Sequence, residues 1–164
     1  MAHPHRRNPN AARRSAARLA AVQALYAMDI NGIGTDQALA DAGGRLDESA
    51  SVDMAEPDGA LVGFLVRGAS AESARLDGMI SQALSGDWSL DRLEAVLRAV
   101  LRAGAYEIEA RAETPARVAI SEYVDIAHAF YSGPEPGLVN AVLDRIARLL
   151  RPAEFDPALR PGAD

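Results

Sequence analysis

Apolar residues recur every three or four positions along most of this 164-residue chain. That spacing places them on one face of an α-helix, and it is the strongest constraint on the fold. Alanine and leucine make up most of the 49% apolar fraction, whereas β-branched residues are few. Alanine and leucine favour helices, and β-branched residues favour strands. The sequence therefore predicts an all-α protein.

Glycine and proline residues interrupt the apolar pattern and divide the chain into helical segments. A break at Gly86-Asp87 separates the two halves. The apolar cluster at residues 61–66 fits a core helix, although periodicity alone does not distinguish it from a strand. We expect six or seven helices, in one domain or in two small halves that share a core. The first helix is expected from Ala11, with one shared face formed by Leu19, Val22, Tyr26 and Ile30.

Charge is distributed unevenly along the chain. The first 28 residues contain five arginines and no carboxylate, whereas the remaining 136 contain twelve arginines and all 23 acids. Formal charge is thus +5 in the first part and −11 in the rest. This asymmetry predicts one surface for a polyanion and another for a basic partner, unless the acids only keep the protein soluble. All 17 basic residues are arginines, whose guanidinium groups suit bidentate phosphate contacts.

The sequence contains no recognisable catalytic or metal site. The absence of cysteine excludes disulfides, zinc–thiolate sites and cysteine nucleophiles. His3, His5 and His128 lack metal-ligand spacing. We interpret Glu107 and Glu109 as charges on a helix surface rather than as a general acid and base. The sequence therefore predicts a protein that is not an enzyme and that uses no cofactor or metal.

We expect a cytoplasmic protein. No apolar run reaches the ~20 residues that a transmembrane helix requires. The arginine-rich, acid-free N-terminus is similar to an organellar transit peptide. However, Arg18 and Gln23 interrupt any apolar core of the signal type.

Several stretches occur in an informative order behind the N-terminal arginines. They are AVQALY at 21–26, AVLRAGAYEI at 99–108 and VAISEYVDIAHAF at 118–130, which runs into LVNAVLDRIA at 138–147. Their order and spacing resemble the NusB family of transcription antitermination factors over most of residues 13–150. The resemblance implies a helical bundle of about seven helices in two packed subdomains. The expected parts are a disordered basic arm (1–10), an N-terminal subdomain (11–85), a C-terminal subdomain (86–151) and a loose tail (152–164).

The resemblance also implies a function and its partners. Members of this family bind the boxA element, a single-stranded RNA of ribosomal RNA leader transcripts, jointly with NusE, a ribosomal small-subunit protein. The pair joins other Nus factors on RNA polymerase. Tyr26 and Asp91 match positions near the NusE-facing surface. The expected RNA contacts are Arg6, Arg7, Arg13, Arg14, Arg18 and Asn140.

The chain departs from the family pattern at two places. Gly137 and Leu138 stand where other members have a basic and an aromatic residue that help to bind RNA. Leu97 stands where an acid is expected one helical turn before Leu101. The resemblance therefore leaves open the RNA affinity of this turn, where Tyr131 could supply a stacking surface, and part of the partner interface.

Two other interpretations fit the sequence. The NusB fold also occurs as the RNA-binding domain of ribosomal RNA cytosine methyltransferases, which continue into a domain with a catalytic cysteine. This sequence ends at Asp164 and has no cysteine. Alternatively, the protein is a helical scaffold that binds no RNA and forms a homodimer through exposed apolar positions such as Leu97.

Overall fold

A computed structural model of the chain describes residues 8–48 and 55–162, with side chains at all of these positions except 45–48. Within these residues the protein is all-α, as predicted, and no helix is long and apolar enough to cross a membrane. The helices are α1 (Pro9–Asn31), α2 (Thr35–Glu48), α3 (Gly59–Ala71), α4 (Ser73–Ala83), α5 (Ala95–Ala110), α6 (Ala116–Phe130), α7 (Glu135–Leu150) and α8 (Pro152–Phe155). Two 3₁₀ helices span Leu90–Arg92 and Pro157–Leu159.

Helices α1 and α5 form the centre of the bundle. Helix α1 packs against α2, α3, α5 and α6, and α5 packs against α3, α4, α6 and α7. Small side chains such as Ala17, Ala21 and Ala24 are buried on α1, which lets neighbouring helices approach closely. One hydrophobic core runs through both halves of the described chain. A division into subdomains at residue 85 stays a prediction.

Local sequence signals set the ends of the first helices. Helix α1 begins at Pro9, two residues earlier than expected, and the side chain of Asn8 accepts a hydrogen bond from the Asn10 amide. It ends at Gly32, whose φ of 65° allows the left-handed turn. The Asp58 side chain caps α3 by accepting from the Leu61 amide. The ambiguous cluster at residues 61–66 lies within this helix.

One expectation about an apolar side chain is wrong. Leu97, suggested as an exposed position for a homodimer, is buried in the first turn of α5. On the shared face of α1, Val22 is buried, whereas Tyr26 and Ile30 are 38% and 56% exposed. Tyr26 is therefore accessible at the surface, and its expected partner contact stays a prediction.

The segment after residue 151 is more ordered than the expected loose tail, because it forms α8 and a 3₁₀ helix. The Phe155 ring packs against the core and lies 5.2 Å from the Arg117 guanidinium carbon and 4.6 Å from that of Arg148. The expected basic arm, with Arg6 and Arg7, lies largely outside the described residues.

Gly104 permits a close contact between α5 and its neighbours. A Cβ atom there would lie 2.8 Å from Leu143 Cδ1 and 3.2 Å from Tyr123 Cδ2, and both side chains are buried. We expect Gly104→Ala to lower the free energy of unfolding by about 1–3 kcal/mol, because the core cannot easily accept another methyl group. Gly63→Ala in α3 is the control, since its Cβ would meet nothing within 4 Å. Urea unfolding measures both, and equal effects would contradict the prediction.

Candidate nucleic-acid interface

A cleft of about 280 Å³ lies between the N-terminal part of α1, the α5–α6 connection and the start of α6. Arg14 of α1 is half-buried in this cleft and makes no ion pair with any side chain that the structure describes. Arg111 faces it from the connection and pairs with Glu113 at 3.2 Å. The main lining residues are Arg14, Arg18, Arg111, Pro115, Val118 and Glu122. The cleft thus presents an unpaired guanidinium on a helical scaffold.

A buried polar network forms the base of the cleft and joins three helices. Arg18 of α1 donates from Nε and Nη2 to the two carboxylate oxygens of Glu107 on α5, each at 2.8 Å. The Tyr123 hydroxyl of α6 donates to Glu107 Oε1, also at 2.8 Å. Arg18 Nη1 lies 3.6 Å from Glu122 Oε2, which also accepts from the Ser15 hydroxyl. This network fixes α1 against α5 and α6.

The charges within the network stabilise one another. Burial raises the pKa of the Glu107 carboxyl, but the hydrogen bonds and charge of Arg18 lower it by more, so it lies below its ordinary value. Burial lowers the pKa of the Arg18 guanidinium, but Glu107 raises it above its ordinary value. Burial and the negative charge of Glu107 raise the pKa of Tyr123 well above its ordinary value. At neutral pH the network is therefore an ion pair with a neutral phenol.

Two sequence predictions need correction at this network. Glu107 is fully buried and is not a surface charge, whereas Glu109 is half-buried and pairs with Arg75. Arg18 is only 2% exposed, and its guanidinium is held by Glu107, so it is not free to contact RNA. Arg14 and Arg18 lie on the same face of α1. At Arg18, one turn after Arg14, that face is covered by the core.

The other predicted RNA residues lie at different places. Arg13 is exposed, and its Nε donates to the Glu56 carbonyl at 3.2 Å. Arg6 and Arg7 lie outside the described residues. Asn140 is exposed in the second turn of α7, outside the set of residues that line the cleft. The structure therefore brings Arg13 and Arg14 together on α1, but not Asn140 with them.

The predicted partner residues lie at the other end of α5. Arg98 of α5 connects the helices that carry them, α1 and the 3₁₀ helix before α5. Its Nη2 donates to Asp29 of α1 at 3.0 Å, and its Nη1 donates to the Leu93 carbonyl at 2.7 Å. Tyr26 is one turn from Asp29, and Asp91 is exposed on the 3₁₀ helix just before Leu93. Both predicted residues are therefore accessible at the same end of the bundle.

The α6–α7 turn lies at that same end. The Tyr131 hydroxyl donates to Glu94 Oε2 at 2.9 Å, and burial together with this hydrogen bond raises the pKa of Tyr131 to about 12. Leu138, which replaces an aromatic residue of the family pattern, is buried, whereas Gly137 is exposed. Leu138 thus offers no stacking surface, and Tyr131 is remote from Arg14.

Sequence reasoning missed the residues that hold the α5–α6 connection. Arg151 donates to the carbonyl oxygens of Ile108 at 2.8 Å and Arg111 at 2.6 Å, which caps the end of α5. Glu154 Oε2 accepts from the Ala116 amide at 2.7 Å, which caps the start of α6, and Glu154 Oε1 pairs with Arg151 at 3.0 Å. No local signal reveals these contacts, because they come from a distant segment.

Comparisons with known proteins agree on one family. A family model described as the NusB family matches residues 15–148. The chain is 53% identical to the transcription antitermination protein NusB of Rhodospirillum rubrum, over 93% of this chain and 92% of that protein. It is 52% identical to the protein of the same name from Nitrobacter hamburgensis, over 87% and 91%. The solved structure of T. maritima NusB superposes with a TM-score of 0.71 at 28% identity, over 94% of this chain and 99% of that one.

We expect Glu107→Gln to lower the free energy of unfolding by about 3–5 kcal/mol at neutral pH, because it leaves Arg18 buried without its main counter-charge. Since the native pKa of Glu107 is lowered, its ionisation stabilises the fold above the ordinary pKa of about 4.3, and this contribution is lost as pH falls through the native value. The difference in unfolding free energy between the variant and the wild type should therefore shrink below about pH 4.3.

Urea unfolding across a pH series measures this difference. Glu109→Gln is the control on the same helix, because it removes a surface ion pair worth less than about 1 kcal/mol. If the loss of unfolding free energy in Glu107→Gln did not change with pH, Glu107 would not be the ionised partner of Arg18.

Proposed function

Because the chain belongs to the NusB family of transcription antitermination proteins, we propose that it binds boxA-type single-stranded RNA of ribosomal RNA leader transcripts together with NusE. The complex then joins the other Nus factors on RNA polymerase. The protein acts in this assembly by binding and not by catalysis.

The observation that carries the RNA part of the proposal is the unpaired Arg14 in the cleft of α1 and the α5–α6 connection. Its neighbour Arg13 is exposed, and the two carboxylates that line the cleft are already engaged, Glu113 by Arg111 and Glu122 by Arg18 and Ser15. Guanidinium groups bind phosphate with two parallel hydrogen bonds and also stack on unpaired bases. Arg6 and Arg7 precede this site in the sequence and are proposed as further RNA contacts.

Arg18 has a positioning role in this proposal. Its bonds to Glu107 fix the rotation of α1, and Arg14 lies one turn earlier on the same face. The direction of the Arg14 side chain therefore depends on a buried ion pair that does not itself contact RNA. Side chains held by packing in this way lose less conformational entropy on binding.

The proposed NusE surface lies at the opposite end of α5, where Tyr26, Ile30 and Asp91 are exposed. Arg14 and Tyr26 are twelve residues apart on α1, about 18 Å along the helix, so RNA at the cleft leaves Tyr26 open to a protein. An exposed aromatic residue and an exposed acid at the same end of the bundle suit a basic partner. Asn140 is proposed to contact RNA that extends towards this end.

The proposal is tested by fluorescence anisotropy of a labelled boxA-type RNA, with and without NusE, across a salt series. We expect weak, salt-sensitive binding that tightens when NusE is present. The absence of binding in both conditions, with a folded protein, would contradict the proposal and leave a helical scaffold that does not bind RNA.

We expect the double substitution Arg13→Ala/Arg14→Ala to weaken RNA binding at least about tenfold, because each lost charged hydrogen bond costs about 1.5 kcal/mol or more. The slope of log affinity against log salt should become shallower by about 1.4, from two phosphate contacts. Arg18 is kept, because its loss destabilises the fold. Arg67→Ala/Arg92→Ala removes the same charge from exposed positions and should leave RNA affinity nearly unchanged.

Tyr26→Asp should weaken NusE binding about 30-fold, because it places a charge in a contact that loses water on association. RNA binding by the variant alone should not change. Isothermal titration calorimetry measures the NusE affinity. Ser121→Asp on α6 is the control, since it adds the same charge at another exposed position. Full affinity in a folded Tyr26→Asp variant would show that Tyr26 does not contact NusE.

A further inference from the structure

A second cleft adjoins the first one on the other side of Pro115. It has a volume of about 590 Å³ and lies between the start of α6 and the C-terminal segment. Pro115 lines both clefts, so the two lie next to each other at the α5–α6 connection. Its lining residues are Ala112, Pro115, Arg117, Ala153, Glu154 and Arg160.

The second cleft contains positive charges that are not engaged by acids. Arg117 and Arg160 are exposed, and neither pairs with a carboxylate among the residues that the structure describes. Most other arginines in the described chain, including Arg75, Arg98 and Arg102, are engaged by acids. The acid in the cleft, Glu154, is already neutralised, because its oxygens bind Arg151 and the Ala116 amide.

The two available arginines are held in place by the C-terminal segment. The Phe155 ring lies under the Arg117 guanidinium at 5.2 Å, which restricts its orientation and leaves its N–H edge free. Arg160 Nε donates to the Ala153 carbonyl at 3.4 Å, which keeps it beside α8. Arg151 and Glu154 fasten this segment to the α5–α6 connection.

We propose that single-stranded RNA bound in the first cleft continues over Pro115 into the second cleft, where Arg117 and Arg160 bind its phosphates. This inference rests on the proposed function and extends the RNA surface to a part of the chain that the family resemblance does not assign. The favoured occupant is RNA rather than an acidic protein, because the second cleft adjoins the cleft that contains Arg14 and shares Pro115 with it.

The test compares a boxA-type RNA of about 8 nucleotides with versions of about 16 nucleotides that extend it at the 5′ or the 3′ end. Anisotropy is measured with the full-length protein across a salt series. One extension should tighten binding to the wild type and make its salt slope steeper by about 1.4, from two added phosphate contacts at about 0.7 each. Arg117→Ala/Arg160→Ala should lose this gain and bind the short RNA like the wild type.

Arg67→Ala/Arg92→Ala has the same net charge and serves as the control, which should keep the gain from the longer RNA. If neither extension tightens binding, or if Arg117→Ala/Arg160→Ala keeps the gain, this inference is wrong while the proposed function stands. If the wild type binds neither RNA, both are wrong. A polyglutamate peptide that binds through Arg117 and Arg160, with no gain from longer RNA, would identify the second cleft as a protein-docking site and overturn the inference.

Discussion

The arrangement of the bundle depends on the ion pair between Arg18 and Glu107. Burying two charges costs several kcal/mol each in desolvation, and a protein tolerates this only when the charges are paired and their hydrogen bonds are made. Here Glu107 accepts from both Arg18 nitrogens and from Tyr123. Apolar packing alone allows helices to rotate or slide, whereas this pair satisfies its bonds in one register. It therefore determines which side chains of α1 face the clefts and which face the partner end.

Much of the fold could be predicted from the sequence, and the failures have a common cause. Helical periodicity is a local signal, so the start of the first helix is predicted to within two residues. Arg18 was misassigned because its partner is 89 positions away. Periodicity shows that Tyr26 shares a face with Val22, but it does not show where the core ends. The ordered segment after residue 151 was missed because its bonds reach back about 40 positions.

The surface charge of this protein depends more on which acids and arginines form ion pairs than on the net charge of the chain. The acidic balance of the chain beyond residue 28 suggests a broadly negative surface, yet many of its acids bind arginines between helices. Asp29, Asp77 and Glu109 are examples, with partners Arg98, Arg102 and Arg75. Exposed arginines without an acidic partner, among them Arg117 and Arg160, remain at the end of α5 where the clefts lie. The net charge of the chain is therefore a poor guide to which of its surfaces attract a polyanion or a basic protein.

The contacts of Arg151 and Glu154 have a consequence for the order in which the protein matures on the ribosome. Arg13 and Arg14 emerge long before Arg151 and Glu154, whose side chains fasten the wall of the cleft that faces α1. During synthesis at about 5–20 residues per second, the early helices exist for several seconds before that wall can form. A nascent chain therefore exposes its basic segment before the contacts of Arg151 and Glu154 complete the groove.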